Sequence, residues 1–172
     1  MLIQSKTTNQ QMNISIRKIE EKDNETIKNI IRDSLTEYGG NRPGTAYYDE
    51  DILNMFDSYK NEKSSYIVVE VDGEVVGGGG FKHLNKAESN LCELQKVYIK
   101  KEFRGLGIGK MIVKKCIEEA TKAGYEYMYL ETFPNMQKAQ ILYRKLGFNN
   151  LDHSIGDTGH RTNEIWMLKK LK

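Results

Sequence analysis

Apolar and polar residues take turns along Asn13–Ile19, the two-residue period of a half-buried strand. The spacing then changes. Ile27, Ile30, Ile31, Leu35 and Tyr38 recur every three or four positions, which predicts an amphipathic helix capped at Asp23 and ended by Gly39–Gly40. A polar loop, Asn41–Tyr48, leads to a second predicted helix near Asp49, with Ile52, Leu53, Phe56 and Tyr59 on one face. Ser65–Val71, the dipeptide Asp72–Gly73 and Glu74–Gly77 predict a β-hairpin. Gly77–Gly80 carry its second strand on without side chains toward Phe81 and Leu84, a run that weakens a strand unless something must approach closely.

The second half reads as strand, helix, strand, helix, strands. Leu91–Ile99 is a predicted strand that ends in a glycine-rich turn. A helix from about Gly107 buries Ile108, Met111, Ile112, Cys116, Ile117 and Ala120 and stops at Gly124. Tyr125–Glu131 follows as a strand. Strand, crossover helix and strand at this length form a βαβ unit, so the two strands should be parallel. Pro134 and Asn135 open a last helix with Ala139, Leu142, Tyr143 and Leu146 on one face and Gly147 as its C-cap. Phe148 and Glu164–Leu171 begin or form further strands. The expectation is a mixed α/β sheet in a single domain over residues 12–172, preceded by a loose polar tail at 1–11.

Composition narrows the function classes. A net charge of +2 without a basic stripe argues against nucleic-acid binding. No apolar run reaches membrane-span length and residues 1–6 lack a signal core, so a cytoplasmic protein with no membrane partner is expected. The two cysteines, Cys92 and Cys116, sit in apolar patterns and read as buried thiols. Three unclustered histidines give no reason to expect a metal.

The glycine turn carries the chemistry. Arg104–Gly105–Leu106–Gly107–Ile108–Gly109–Lys110 opens a helix, where free N–H groups and the helix dipole favour phosphate oxygens. Two common phosphate motifs fail on spacing. A Walker A loop would need Gly at position 104 and a hydroxyl at 111, where Arg and Met stand. A dinucleotide fingerprint would need G-x-G-x-x-G, whereas the glycines run G-x-G-x-G.

Arg104-x-x-Gly107-x-Gly109 resembles the acetyl-coenzyme A signature of the GNAT superfamily of N-acetyltransferases. Ala139-x-x-Leu142-Tyr143-Arg144-Lys145-Leu146-Gly147-Phe148 resembles its second signature. The resemblance covers roughly residues 12–171, with sharp motifs only from about 93 to 148. It extends more softly to uncharacterised bacterial members through Glu93–Lys96 and the segment Gly156–His160. It implies the GNAT fold, a mixed sheet of six to seven strands with about four helices. It also implies acetyl transfer from acetyl-CoA to a primary amine by direct attack in a ternary complex. The acceptor is expected to be a small molecule, because no extra domain exists to hold a macromolecule, and the protein a monomer or homodimer. A peptide or protein amine as acceptor stays open, as does a non-catalytic acyl-CoA-binding or sensor module.

The resemblance also distributes roles. Arg104–Lys110 would hold the pyrophosphate, with help from the Arg104 and Lys110 side chains. Val97, Tyr98 and Ile99 would pair with the pantetheine arm like a neighbouring strand, and a backbone N–H there would polarise the thioester carbonyl. Ala139 and Tyr143 would line the cofactor. Tyr143 would act as general acid toward the departing sulfur. Glu93, eleven residues before Arg104, would be the general base or an acceptor for the substrate ammonium. His160 is a second candidate base or substrate contact. Thr45, Tyr47 and Tyr48, on the connection between the first two helices, are candidate acceptor contacts, with packing of the loop as the alternative. One departure stands out. The family's pantetheine-contacting Asn position is Met136 here, so Asn135 either takes that role from a shifted helix start or the role is absent.

Overall fold

The computed structural model describes residues 11–172. Seven strands form one sheet in the order β1-β2-β3-β4-β5-β7-β6. They are β1 (Ile14–Lys18), β2 (Ser65–Val71), β3 (Glu74–His83), β4 (Leu91–Ile99), β5 (Tyr127–Thr132), β6 (Asn149–Leu151) and β7 (Ile165–Lys170). Every adjacent pair is antiparallel except β4 and β5. That parallel pair is joined by α3 (Ile108–Lys122), as the βαβ spacing requires. The other helices are α1 (Asn24–Glu37), the single turn α2 (Met55–Ser58) and α4 (Gln137–Lys145).

Alternation along the strands sorts the core onto two faces. Ile67, Val69 and Val71 of β2 pack with Ile112, Val113 and Cys116 of α3. Tyr66 and Val68 point the other way, toward Ile27, Ile31 and Leu35 of α1. Both cysteines are buried and unpaired, as their apolar settings predict.

The glycine run of β3 has a packing cause. A Cβ on Gly78 or Gly80 would lie 2.6 Å from a Tyr66 ring carbon, and one on Gly79 would lie 2.6 Å from Ile112 Cγ2. Missing side chains let a tyrosine lie flat on one face of the strand and α3 approach the other. The Tyr66 hydroxyl then donates to the Lys96 carbonyl at 2.8 Å.

Three elements differ from expectation. Asp23 does not cap α1 with its side chain. The chain enters through a 3₁₀ turn at Glu21–Asp23, and the Asp23 carboxylate reaches back to the Glu20 N–H at 2.8 Å and to Arg17 at 2.7 Å. The expected loop holds a 3₁₀ turn at Ala46–Tyr48, and the second helix breaks into a 3₁₀ turn at Glu50–Leu53 followed by α2. Ile52, Met55 and Tyr59 go inward while Leu53 is left 61% exposed. The last helix starts at Gln137, two residues beyond Asn135, because Gln140 Nε2 binds the Phe133 and Pro134 carbonyls and holds them outside it. Ten residues of the expected tail, 1–10, lie outside the described residues.

Candidate active site

β4 carries the defining irregularity. Gly80 pairs with Gln95 and Gly78 with Tyr98, so two residues of β4, Lys96 and Val97, oppose the single Gly79. Lys96 absorbs the extra residue with φ of 51°, a left-handed conformation rare for a side chain of this size. The bulge reverses the alternation. Glu93 and Gln95 face the α1 side, and beyond the bulge Val97 and Ile99 join the core under α3. On the other edge, β4 pairs with β5 only from Leu91 to Glu93. Past the Glu93–Tyr129 pair the two strands part, leaving backbone groups of β4 without a strand partner on that side.

The glycine turn lies at the end of this gap. Gly105 and Gly107 have φ of 79° and 82°, and Gly107 is the residue that starts α3. Among the described residues, the N–H groups of Gly105 through Lys110 donate to no protein acceptor, since the first bond of the helix is Met111 N to Gly107 O. Gly109 lacks the Cβ that would press within 3.4 Å of Leu142 and Ile99. A cleft of about 300 Å³ runs from these residues along Val97–Ile99 to Ala139, Leu142 and Tyr143. Arg104 also lines it, with its guanidinium engaged by neighbouring groups. Its guanidinium donates to the Ile99 carbonyl at 3.0 Å and to both Glu37 carboxylate oxygens at 2.9 and 3.0 Å, locking the turn to α1. Lys110 lines the cleft, and so does Lys138; Leu106 is exposed.

Tyr143 projects from α4 between the strands. It is buried, packs edge-on against Phe148 at 5.9 Å, and has its pKa pushed up by burial. Met136 lines the cleft, whereas Asn135 donates to the Tyr38 carbonyl at 3.2 Å and does not line it.

Past Tyr143 the cleft narrows into a cavity of about 50 Å³ and then one of about 40 Å³. Val97, Tyr98, Met136 and Tyr143 are shared between the cleft and the first cavity. Leu94, Lys96, Tyr98, Glu131, Phe133 and Asn163 are shared between the two cavities. The three spaces therefore adjoin one another in a row through shared walls, a passage in outline with Glu93 and His160 lining its innermost member. Glu93 is 5% exposed, and burial pushes its pKa up to about 7, against the weaker pull of its hydrogen bond from Gln95 Nε2 at 2.7 Å. Gln95 is itself held by the Tyr59 hydroxyl at 2.6 Å.

Asp49 organises the far wall. It accepts from His160 Nε2 at 2.9 Å and pairs with the buried Lys96 ammonium at 3.0 Å, and Lys96 also reaches Asp51 at 3.4 Å. Burial opposes charging His160 and Lys96, but the aspartates prevail and hold both pKa values above their usual range. Thr45, Tyr47 and Tyr48 line none of the three spaces. The Thr45 hydroxyl donates to the Gly40 carbonyl at 2.6 Å, Tyr47 packs beneath Arg32, and Tyr48 is 59% exposed. Ala46, between them, lines the inner cavity.

The profile described as "Acetyltransferase (GNAT) family" matches residues 25–148, from the start of α1 to the end of the Tyr143 helix. The chain belongs to the GNAT family. GNAT proteins are acyltransferases that use acetyl-CoA, and the bulged β4, the parted parallel strands and the open glycine turn are the features of this chain that suit such a ligand. Over 157 residues, 91% of this chain and 94% of the relative, it is 38% identical to the uncharacterized N-acetyltransferase YjgM of Escherichia coli (strain K12). Its fold resembles a GNAT-family acetyltransferase of Staphylococcus aureus Mu50, with a TM-score of 0.79, 22% identity and coverage of 93% of this chain and all of that one. It also resembles the putative acetyltransferase yncA of Salmonella typhimurium, solved with acetyl-CoA, with a TM-score of 0.74, 20% identity and coverage of 93% and 95%.

Several residues of this GNAT passage carry no motif in the sequence. Asp49 reads there as a helix start, and Lys96 as a polar strand position. Glu131 looks like the last residue of a strand, and Asn163 lies in a loop. The one available signal was Lys96 itself, a lysine on the inward side of a strand whose neighbours are apolar.

Proposed function

We propose that this protein is an N-acetyltransferase that moves the acetyl group of acetyl-CoA to the primary amine of a small molecule by direct attack within a ternary complex. The observation that carries the reading is the row of adjoining spaces, from free N–H groups at the glycine turn, past Tyr143, to Glu93. Acetyl-CoA supplies an activated acetyl thioester. The N–H groups of Gly105–Lys110 bind pyrophosphate oxygens, and the side of β4 left open at Val97–Ile99 offers strand-like hydrogen bonds to the pantetheine amides. An N–H near Val97 polarises the thioester carbonyl.

The acceptor enters from the Glu93 end. Glu93 takes the amine proton, directly or through a water, as the nitrogen–carbon bond forms. A pKa of about 7 suits it to that task at neutral pH. The Tyr143 hydroxyl hydrogen-bonds or protonates the sulfur as the carbon–sulfur bond breaks. Its raised pKa keeps it protonated and able to donate. His160 stands beside Glu93 with Nε2 engaged by Asp49, a placement that favours shaping the acceptor wall over accepting a proton at that nitrogen. The inner cavities, about 50 and 40 Å³, favour a slender amine.

Release of free thiol from acetyl-CoA, followed with a panel of primary amines, tests the reading. Amine-dependent release with a matching acetamide product is expected. Tight binding of acetyl-CoA with no acceleration by any amine would leave a binding or sensor module instead.

A further inference from the structure

We infer that Glu131 is a second acceptor-binding residue, and that Glu93 and Glu131 together select a primary ammonium whose neighbouring carbon bears no carboxylate. The inference rests on the N-acetyltransferase reading and names its substrate class. Glu93 of β4 is in register with Tyr129 of β5, and side chains two apart share a face, so Glu131 lies on the same face as Glu93. The strands part just beyond that pair, which sets the two carboxylates on opposite banks of the gap. Glu131 lines both inner cavities and Glu93 lines the deeper one.

Both carboxylates are fixed yet incompletely used. Glu131 accepts from the Tyr129 hydroxyl at 2.8 Å through Oε1 and from the Thr158 hydroxyl at 2.9 Å through Oε2. Glu93 accepts from Gln95 through Oε2, while its Oε1 accepts nothing among the described residues although the side chain is almost wholly buried. A carboxylate offers about four lone-pair sites, so both retain capacity for an incoming N–H. An ammonium carries three donors and no acceptor, the complement of that pair.

The charge around the passage points the same way. Among the described residues, the basic side chains lining the two inner cavities are Lys96 and His160; both are engaged by Asp49, and Lys96 also by Asp51. Neither is free to receive a carboxylate. Lys82, outside these cavities, pairs with Asp51 at 3.1 Å. Four carboxylates therefore surround two already paired cations. A substrate bearing an α-carboxylate would bring a further anion beside Glu93 and Glu131, where both basic side chains lining the cavities are already engaged; another cation, Arg42, lies over the Phe133 ring at 5.9 Å and lines neither cavity.

Amines that differ only by that carboxylate decide the matter: isobutylamine against valine, and phenethylamine against phenylalanine. In the wild-type protein kcat/KM should be at least tenfold higher for the member without the carboxylate. Glu131→Gln should raise the amine KM about tenfold, leave the KM for acetyl-CoA unchanged and narrow the gap within each pair. Glu131→Asp, which keeps the charge, should retain the preference. The single tryptophan, Trp166, lies opposite Glu131 in the β5–β7 ladder, so its fluorescence reports amine binding even in a variant with weak turnover. Equal or better use of valine and phenylalanine would overturn the inference while leaving the acetyltransferase reading intact. So would an unchanged amine KM in folded Glu131→Gln. Absence of amine-dependent thiol release from the wild type is a different result, which sinks the acetyltransferase reading and this inference with it.

Discussion

Replacing Glu93 by glutamine should make the protein slower and, above neutral pH, more stable. Ionising Glu93 in place is harder than in water by the gap between 4.5 and about 7, with burial as the main cause. At 1.36 kcal/mol per pKa unit that gap is about 3 kcal/mol. The sign follows from proton counts. Between pH 4.5 and about 7 the folded protein holds a proton on Glu93 that the unfolded chain has released, so this group's contribution to stability falls as pH rises through that window. Below 4.5 both states are protonated and the penalty is absent; above about 7 it is complete. Glutamine keeps the size and the hydrogen bond to Gln95 and removes the titration. The neighbouring His160, Lys96 and Asp49 stay in both proteins, so the difference between variant and wild type isolates Glu93.

Glu93→Gln should accordingly gain up to about 3 kcal/mol at pH 8 and close to nothing at pH 4.5. For a chain of this size that corresponds to about 10 °C in Tm. Loss of a general base should lower kcat/KM by about 10²–10⁴. Wild-type kcat/KM should rise with pH, bend near 7, and lose that bend in the variant. Urea unfolding at the two pH values and a pH–rate profile supply the test. A variant destabilised equally at pH 4.5 and 8 would show that Glu93 is a structural hydrogen-bonding partner and not a carboxyl held against its ionisation.

Three other perturbations probe separate parts of the structure. Tyr143→Phe should lower kcat at least tenfold with little change in the KM for acetyl-CoA; equal loss of both, measured by steady-state kinetics, would make Tyr143 a packing residue. Gly80→Ala should cost about 3 kcal/mol in urea unfolding, because its Cβ would meet the Ser65 carbonyl oxygen at 2.5 Å, while Gly73→Ala at the open hairpin turn, with φ of 84° and nothing within 4 Å, should cost only about 1 kcal/mol. Lys96→Met should destabilise by about 3 kcal/mol at neutral pH, since it removes the buried cation shared by Asp49 and Asp51 and leaves them only His160 and Lys82, and the loss should shrink as acid protonates Asp49.

The half of the chain around the glycine turn was legible because its residues act through local geometry. The turn at Gly105–Gly109 takes positive φ at two positions, a region glycine enters without steric cost, and at Gly109 a Cβ would press on Leu142 and Ile99, so the local geometry shows in the residue types. The helices and strands around it are long and periodic, and the structure departs from their expected limits by only a few residues. The region from Asn41 to Tyr59 was not legible in the same way. Its two 3₁₀ turns and single α-turn are shaped by what they touch: Ile52, Met55 and Tyr59 pack against α1 and Tyr66 at helical spacing, yet the backbone between them breaks into separate turns.

The acceptor side was hidden for a deeper reason, which the Lys96 bulge makes concrete. Reading β4 by strict alternation puts Glu93, Gln95, Val97 and Ile99 on one face. One extra residue at Lys96 sends Val97 and Ile99 to the other face, keeps Glu93 on the α1 side and swings a lysine ammonium into contact with an aspartate 47 positions earlier in the chain. That aspartate in turn holds a histidine 111 positions later. Asp49, Lys96 and Glu131 belong to three distant segments, each unremarkable among its own neighbours, and His160 stood out only as a lone imidazole. Their meaning exists only where β4 and β5 part, and beside that parting β4 carries a backbone irregularity that no residue type dictates. Specificity in such a fold is therefore written in pairings across the sheet, and the wild-type preference between isobutylamine and valine is the most direct reading of them.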